Sequence, residues 1–225
     1  MMEKKITGRI DNNLLNYESK YLLSDGTLIN ELGITDSDKL ERIERSITSF
    51  RLANLYLNSK LSLSDDIRMF SLEHYLNIHK YLFDGIYPFA GVIRDEVIKK
   101  SYAFCLPEKI YVNLKNTLSD MSKISKRIHN REQLLNFITY FYSELNVIHP
   151  FREGNGRCER EFLRQYVAYI CENNNLDDYY YLDFSLIDDK KKFVDAIVNA
   201  DIRRESDSLR EIFDSILVGS KKHTK

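Results

Sequence analysis

Leu134, Ile138, Phe141, Leu145 and Ile148 recur at alternating spacings of four and three, which sets these apolar side chains on one face of a helix. Asn130, with Gln133 three positions on, supplies a capping pair at its start. His149-Pro150 stops it, because proline disfavours the helical conformation in the residue before it. The next helix begins near Gly156, turns Phe162, Leu163, Tyr166, Val167 and Ile170 inward, and ends near Asn173-Asn174-Asn175. Upstream, Thr35-Asp36-Ser37-Asp38 offers capping residues ahead of an inward set Leu40, Ile43, Ile47, Phe50, Leu52 and Leu55. A helix over about 72–83 shows Leu72, Tyr75, Leu76, His79 and Leu82 on one face, and Asp84-Gly85 and Pro88 break it. Further helices are predicted over about 108–124, 188–200 and 207–217.

Between Gly91 and Pro107 the period changes. Val92, Ile93, Val97, Ile98, Tyr102, Phe104 and Cys105 favour strands, which predicts a short β-hairpin with Lys99-Lys100-Ser101 near its tip. Residues 1–35, with the turn signal Ser24-Asp25-Gly26, read as an irregular arm, and residues 219–225 as a frayed, basic tail. The sum is an all-α domain over residues 36–218 with one inserted hairpin.

Composition narrows the class. Of the 225 residues, 43% are hydrophobic and 30% charged, an ordinary globular balance. A net charge of -1 argues against nucleic acid or an anionic membrane as partner. No apolar run approaches the roughly 20 residues needed to span a bilayer. The three cysteines, Cys105, Cys158 and Cys171, are odd in number and unclustered. That points to a reducing compartment, the cytoplasm by default, although a protein exported by a dedicated secretion machine would carry the same composition.

Candidate chemistry gathers in residues 149–160, His-Pro-Phe-Arg-Glu-Gly-Asn-Gly-Arg-Cys-Glu-Arg. Gly154 and Gly156 can take positive φ and let another group approach the backbone. Their amides, at the opening of a helix, make an anion site, to which Asn155 could lend its side-chain amide. Arg157 and Arg160 project from one face of the first turn, where two cations oppose the helix dipole unless a polyanion stands before them. Glu153 is the one carboxylate inside the loop and is suited to Mg²⁺ bridging phosphate oxygens. His149 titrates near neutrality and is placed to act as a general base, with Phe151 as a packing anchor. The same residues also have plainer readings: a histidine at a helix end, a Gly-Asn-Gly turn, and arginines paired with Glu153 and Glu161. Their coincidence within twelve residues favours phosphoryl or nucleotidyl transfer to an external hydroxyl.

The stretch resembles the signature of the Fic family, His-x-Phe-x-(Asp/Glu)-Gly-Asn-Gly-Arg-x-x-Arg, at every specified position. Phe89-Ala90-Gly91-x-x-Arg94 before the hairpin is similar to that family's target-docking flap, here Val97, Ile98, Lys99, Lys100 and Ser101. The resemblance implies a Fic-type helical domain that transfers AMP from ATP to a Ser, Thr or Tyr hydroxyl of a target protein. In it His149 would be the base, Glu153 the Mg²⁺ ligand, Gly154, Asn155 and Gly156 the anion hole, and Arg157 and Arg160 the β- and γ-phosphate ligands. Two alternatives stay open: a catalytically quiet Fic fold that binds nucleotide or a partner, and a variant moving another phosphate-containing group such as phosphocholine. Many members are silenced by a helix bearing (Ser/Thr)-x-x-x-Glu-(Gly/Asn). The nearest match is Ser37 with Glu41, followed by Arg42, and Ser37 also reads as a helix cap. The expectation is that internal inhibition is absent or that an antitoxin-like protein supplies it.

Overall fold

A computed structural model describes residues 19–63, 68–99 and 102–221. Among them run seven α-helices: α1 (Ser37–Leu57), α2 (Leu72–Phe83), α3 (Pro107–Ser125), α4 (Arg131–Ile148), α5 (Asn155–Asn173), α6 (Lys190–Arg203) and α7 (Asp207–Ile216). Asp36, rather than Ser37, caps α1, and Asn130 caps α4 as the sequence suggests. Asp36 accepts from the Lys39 amide at 2.8 Å, and Asn130 from the Gln133 amide at 2.9 Å. The Gln133 side chain reaches back to the amide of His129 at 2.8 Å.

The α4 and α5 stripes form the centre of the core. Leu134, Ile138, Phe141, Leu145, Ile148, Phe162, Leu163, Tyr166, Val167 and Ile170 are all buried. α2 and α3 pack beside this pair, α1 lies on α2, and α6 and α7 close the side of α4. α1 buries Leu40, Glu44, Thr48 and Leu55. Phe50, expected inward, is 69% exposed. It lies about 160° round the helix from Thr48, so the buried stripe leaves it in solvent.

The hairpin is present as a loop closed by one antiparallel bridge, Lys99 to Ala103, with the Phe104 amide donating to the Ile98 carbonyl at 3.3 Å. Lys100 and Ser101 lie outside the described residues. A longer ladder occurs where none was expected. β1 (Asp178–Leu182) pairs antiparallel with β2 (Leu217–Lys221), with Tyr180 opposite Gly219. The frayed tail expected from residue 219 is therefore a strand as far as Lys221, and residues 222–225 lie outside the described residues. The backbone groups of this segment are satisfied by the tyrosine run Tyr179-Tyr180-Tyr181, whose residues favour the pleated conformation.

Of the arm, residues 19–35 pack down. Tyr21 meets Phe89 edge to face at 5.3 Å and donates to Asp95 at 2.9 Å, while the Glu31 amide donates to the Ile86 carbonyl at 2.9 Å. The arm thus braces the base of the hairpin loop.

Candidate functional site

The loop between α4 and α5 begins with a backbone inversion. His149 caps α4 at φ 47°, ψ 62°, a left-handed conformation rather than the extended one that a following proline favours. Its amide still donates to Leu145 at 3.1 Å. The side chain is 7% exposed, with the ring of Phe104 lying flat on it at 3.7 Å. Nδ1 lies 3.3 Å from the Asn146 carbonyl. A carbonyl only accepts, so the neutral imidazole carries its proton on Nδ1 and its basic lone pair on Nε2.

Phe151 is wholly buried and stacks on His79 at 3.7 Å. Asn155 clamps it from the other side. Its Oδ1 accepts from the Phe151 amide and its Nδ2 donates to the Phe151 carbonyl, each at 2.8 Å. The side-chain amide that the sequence offered to an anion is therefore spent on the loop's own backbone, and only the main-chain N–H of Asn155 faces that task.

Gly154 has φ +80°, and a Cβ there would come within 2.2 Å of Phe83 Cζ. Gly156 is helical, so of the two glycines only Gly154 needs positive φ. A Cβ at Gly156 would meet the movable end of Arg160 at 3.0 Å. The first helical bond of α5 runs from the Cys158 amide to the Gly154 carbonyl, so the amides of Asn155, Gly156 and Arg157 precede the hydrogen-bonded ladder and are available to an anion. The Gly154 amide donates to its neighbour, Glu153 Oε1, at 2.8 Å. Glu153 itself has a side chain 44% exposed.

His79 joins three segments. Its Nδ1 accepts from the Gly91 amide at 2.9 Å, which fixes the proton on Nε2, and Nε2 donates to the Glu153 carbonyl at 2.8 Å. Burial pushes its pKa down to about 3, with the Arg157 charge adding in the same direction, so the ring is neutral. Arg94, 1% exposed, does the same for the other end of the loop. Nε donates to the His149 carbonyl at 2.8 Å, Nη1 to Glu96 at 2.6 Å and Nη2 to Cys105 at 2.7 Å, while its own amide donates to Pro150 at 2.9 Å. The hairpin loop and the end of α4 are thereby stapled together.

Arg157 projects from the first turn of α5 over the face of Phe83 at 4.8 Å. Its Nη1 pairs with Glu44 and donates to the Thr48 hydroxyl at 3.0 Å, and its Nη2 stands 3.5 Å from Glu153. Arg160 lies over Phe184 at 5.9 Å. Between them, Glu159 is 1% exposed, and burial raises its pKa well above the usual carboxylate range.

His149, Glu153, Gly154, Asn155, Gly156 and Arg157 therefore share one tightly braced loop, with the hairpin laid over His149. The Ser37 and Glu41 pair does not join them. Glu41 is exposed and pairs with Arg45 at 2.5 Å, one turn along its own helix, and Ser37 is the exposed first residue of α1. The carboxylate of α1 that reaches the site is Glu44. It was missed in the sequence, although a charged residue in line with Leu40, Thr48 and Leu55 was a signal for it.

Fold and loop together define a helical domain whose two central helices meet at an anion-type turn. Residues 69–167 match the model of the Fic/DOC family. Protein adenylyltransferase VbhT of Bartonella schoenbuchensis is 34% identical over 149 residues, which cover 62% of this chain and 28% of that protein. Probable protein adenylyltransferase y4lH of Sinorhizobium fredii is 27% identical over 178 residues, 77% of this chain and 82% of that one. The chain thus spans under a third of the first relative and most of the second. The crystal structure of the N-terminal Fic domain of a putative cell filamentation protein from Bartonella quintana, with bound ADP, superposes with a TM-score of 0.74 at 24% identity, covering 89% of this chain and 95% of that one. Among the described residues no helix is long and apolar enough to cross a membrane.

Proposed function

We propose that this domain transfers AMP from ATP to a Ser, Thr or Tyr hydroxyl of a target protein. The observation that carries it is a histidine whose Nδ1 lies against the Asn146 carbonyl, held at the mouth of a loop whose other end is a helix N-terminus bearing Arg157. His149 takes the hydroxyl proton on Nε2 as the oxygen attacks the α-phosphorus. A new P–O bond forms, the bond from the α-phosphorus to the oxygen it shares with the β-phosphate breaks, and pyrophosphate leaves with the bond's electrons. The amides at the start of α5, with Arg157 and Arg160, stabilise the charge that moves onto the departing phosphates.

Glu153 is the residue that would hold Mg²⁺. Its carboxylate is half exposed at the loop, and no cluster of three acidic, histidine or cysteine side chains gathers among the described residues. A magnesium ion fits such a single ligand, because it keeps several waters and shares phosphate oxygens; bound there, it neutralises phosphate charge. Glu41 pairs with Arg45 on the exposed side of α1, which supports assigning any inhibition to a separate antitoxin-like protein.

The relatives named as adenylyltransferases support this reading. One feature favours the quiet alternative: the His149 ring is covered by Phe104. Incubation with α-labelled ATP and host lysate separates the two, and γ-labelled ATP separates AMP transfer from phosphate transfer. Label is expected from the α-phosphate only. His149→Ala should abolish it while ATP still binds; equal labelling by that variant sinks the mechanism.

A further inference from the structure

A guanidinium on a long side chain meets a phosphate efficiently only if its orientation is set beforehand. That of Arg157 is set from behind. Nη1 bonds to two side chains of α1, the Glu44 carboxylate and the Thr48 hydroxyl, the latter at 3.0 Å. The Glu44 side chain is 6% exposed, and its second oxygen accepts from the phenol of Tyr87. Thr48 donates in turn to the Glu44 carbonyl at 2.9 Å. The Phe83 ring supports the flat face. Nη2, on the other side of the fork, is turned toward Glu153 and the loop.

A buried glutamate beside a phosphate-binding arginine could oppose the nucleotide or support the arginine. To oppose it, Glu44 would have to sit on the loop-facing edge and withdraw when ligand arrives. It sits on the opposite edge instead. Both its oxygens are bonded, and it lies within α1 between buried Leu40 and Thr48. Five N–H donors make up a guanidinium fork, so holding Nη1 leaves donors for an anion.

We propose that Glu44, with Tyr87 and Thr48, is the positioning site for Arg157, fixing the guanidinium so that its Nη2 edge meets the terminal phosphates of the bound nucleotide. This rests on the nucleotide-site reading above. The side-chain freedom of Arg157 is then lost on folding, and not again on binding.

The test titrates Mg-ATP and adenosine into the full chain by calorimetry, and follows the guanidinium ¹⁵N signals of Arg157 by NMR. Glu44→Gln should weaken ATP about tenfold, the loss of one charge-assisted constraint, and leave adenosine unchanged. Rotation of the Arg157 guanidinium should become faster. In an Arg157→Ala background, Glu44→Gln should add nothing. Thr48→Val, a milder change, should shift ATP in the same direction, which covers the case in which Glu44→Gln does not fold. Tighter ATP binding by Glu44→Gln would show a restraint and overturn the proposal. So would equal weakening of ATP and adenosine, or full additivity with Arg157→Ala. If this pattern holds while no AMP is transferred, the transfer reading fails and the positioning role stands; if wild type binds no ATP, both fall.

Discussion

Replacing Arg94 with methionine removes the staple between the hairpin loop and the end of α4 while keeping most of the side chain's apolar length. Three short hydrogen bonds disappear, to the carbonyls of His149, Glu96 and Cys105 at 2.6–2.8 Å. The bond from the Arg94 amide to Pro150 survives, because it belongs to the backbone. An acceptor left unpaired in the interior costs about 1–3 kcal/mol. Water entering the space of the lost guanidinium would offset part of that, and the methionine stem keeps its packing. A net loss of about 4 kcal/mol is expected for Arg94→Met. For a domain of this length each 1 kcal/mol moves Tm by about 2–4 °C, so the midpoint should fall by about 12 °C. Arg94→Lys, with one compact ammonium in place of a planar fork, should recover only part of the loss. Thermal unfolding followed by circular dichroism measures both. Because Phe104 and His149 sit on opposite sides of the staple, AMP transfer should fall further than ATP affinity. A drop in Tm below about 3 °C for Arg94→Met would mean that the carbonyls rehydrate at no cost and that the staple does not hold the loop.

Gly154→Ala would force a Cβ to within 2.2 Å of Phe83 Cζ at φ +80°. The left-handed backbone alone costs roughly 1–2 kcal/mol, and the clash must push Phe83 from beneath Arg157, so ATP affinity should fall more than tenfold in calorimetry; affinity within twofold of wild type would contradict the account. Acid should destabilise the fold through His74 and His79. Burial lowers their pKa values from 6.5 to about 4 and about 3, so both stay neutral when folded, whereas the unfolded chain takes up protons near 6.5. Their contribution is whole above pH 6.5 and is lost as pH falls toward 4 and 3, roughly 2 kcal/mol for each by pH 5. Tm measured at pH 7.5 and 5.0 should show the decline, and His79→Gln should flatten it; a slope unchanged in that variant would remove His79 from the explanation.

The helices were legible in the sequence because apolar stripes and caps are local signals. The limits of α2 coincide with the predicted 72–83, and Asn130 with Gln133 marks the start of α4. The candidate site was legible as one stretch, because its residues are contiguous in the sequence. Its supports were not. Arg94 and His79 act largely through main-chain groups of residues far along the chain, and no residue type announces a carbonyl as a partner. Glu41 and Glu44 are three positions apart, yet one faces solvent and the other Arg157, a difference set by which side of α1 meets α2. β2 looked like a tail because its partner β1 lies some 35 residues earlier, and Gly219 and Lys221 carry no strand signal of their own.

The loop of residues 149–156 is gripped almost wholly by its main chain: Arg94 on one carbonyl, His79 on another, Asn155 on the amide and carbonyl of Phe151. Side chains at the loop's outward positions contribute little to its shape. Arg152, which reaches over Tyr21 at 6.0 Å, can therefore change in charge or size while the curve of the chain stays put. A surface that can vary without disturbing the bend beneath it lets selection alter what approaches the loop while its shape is kept.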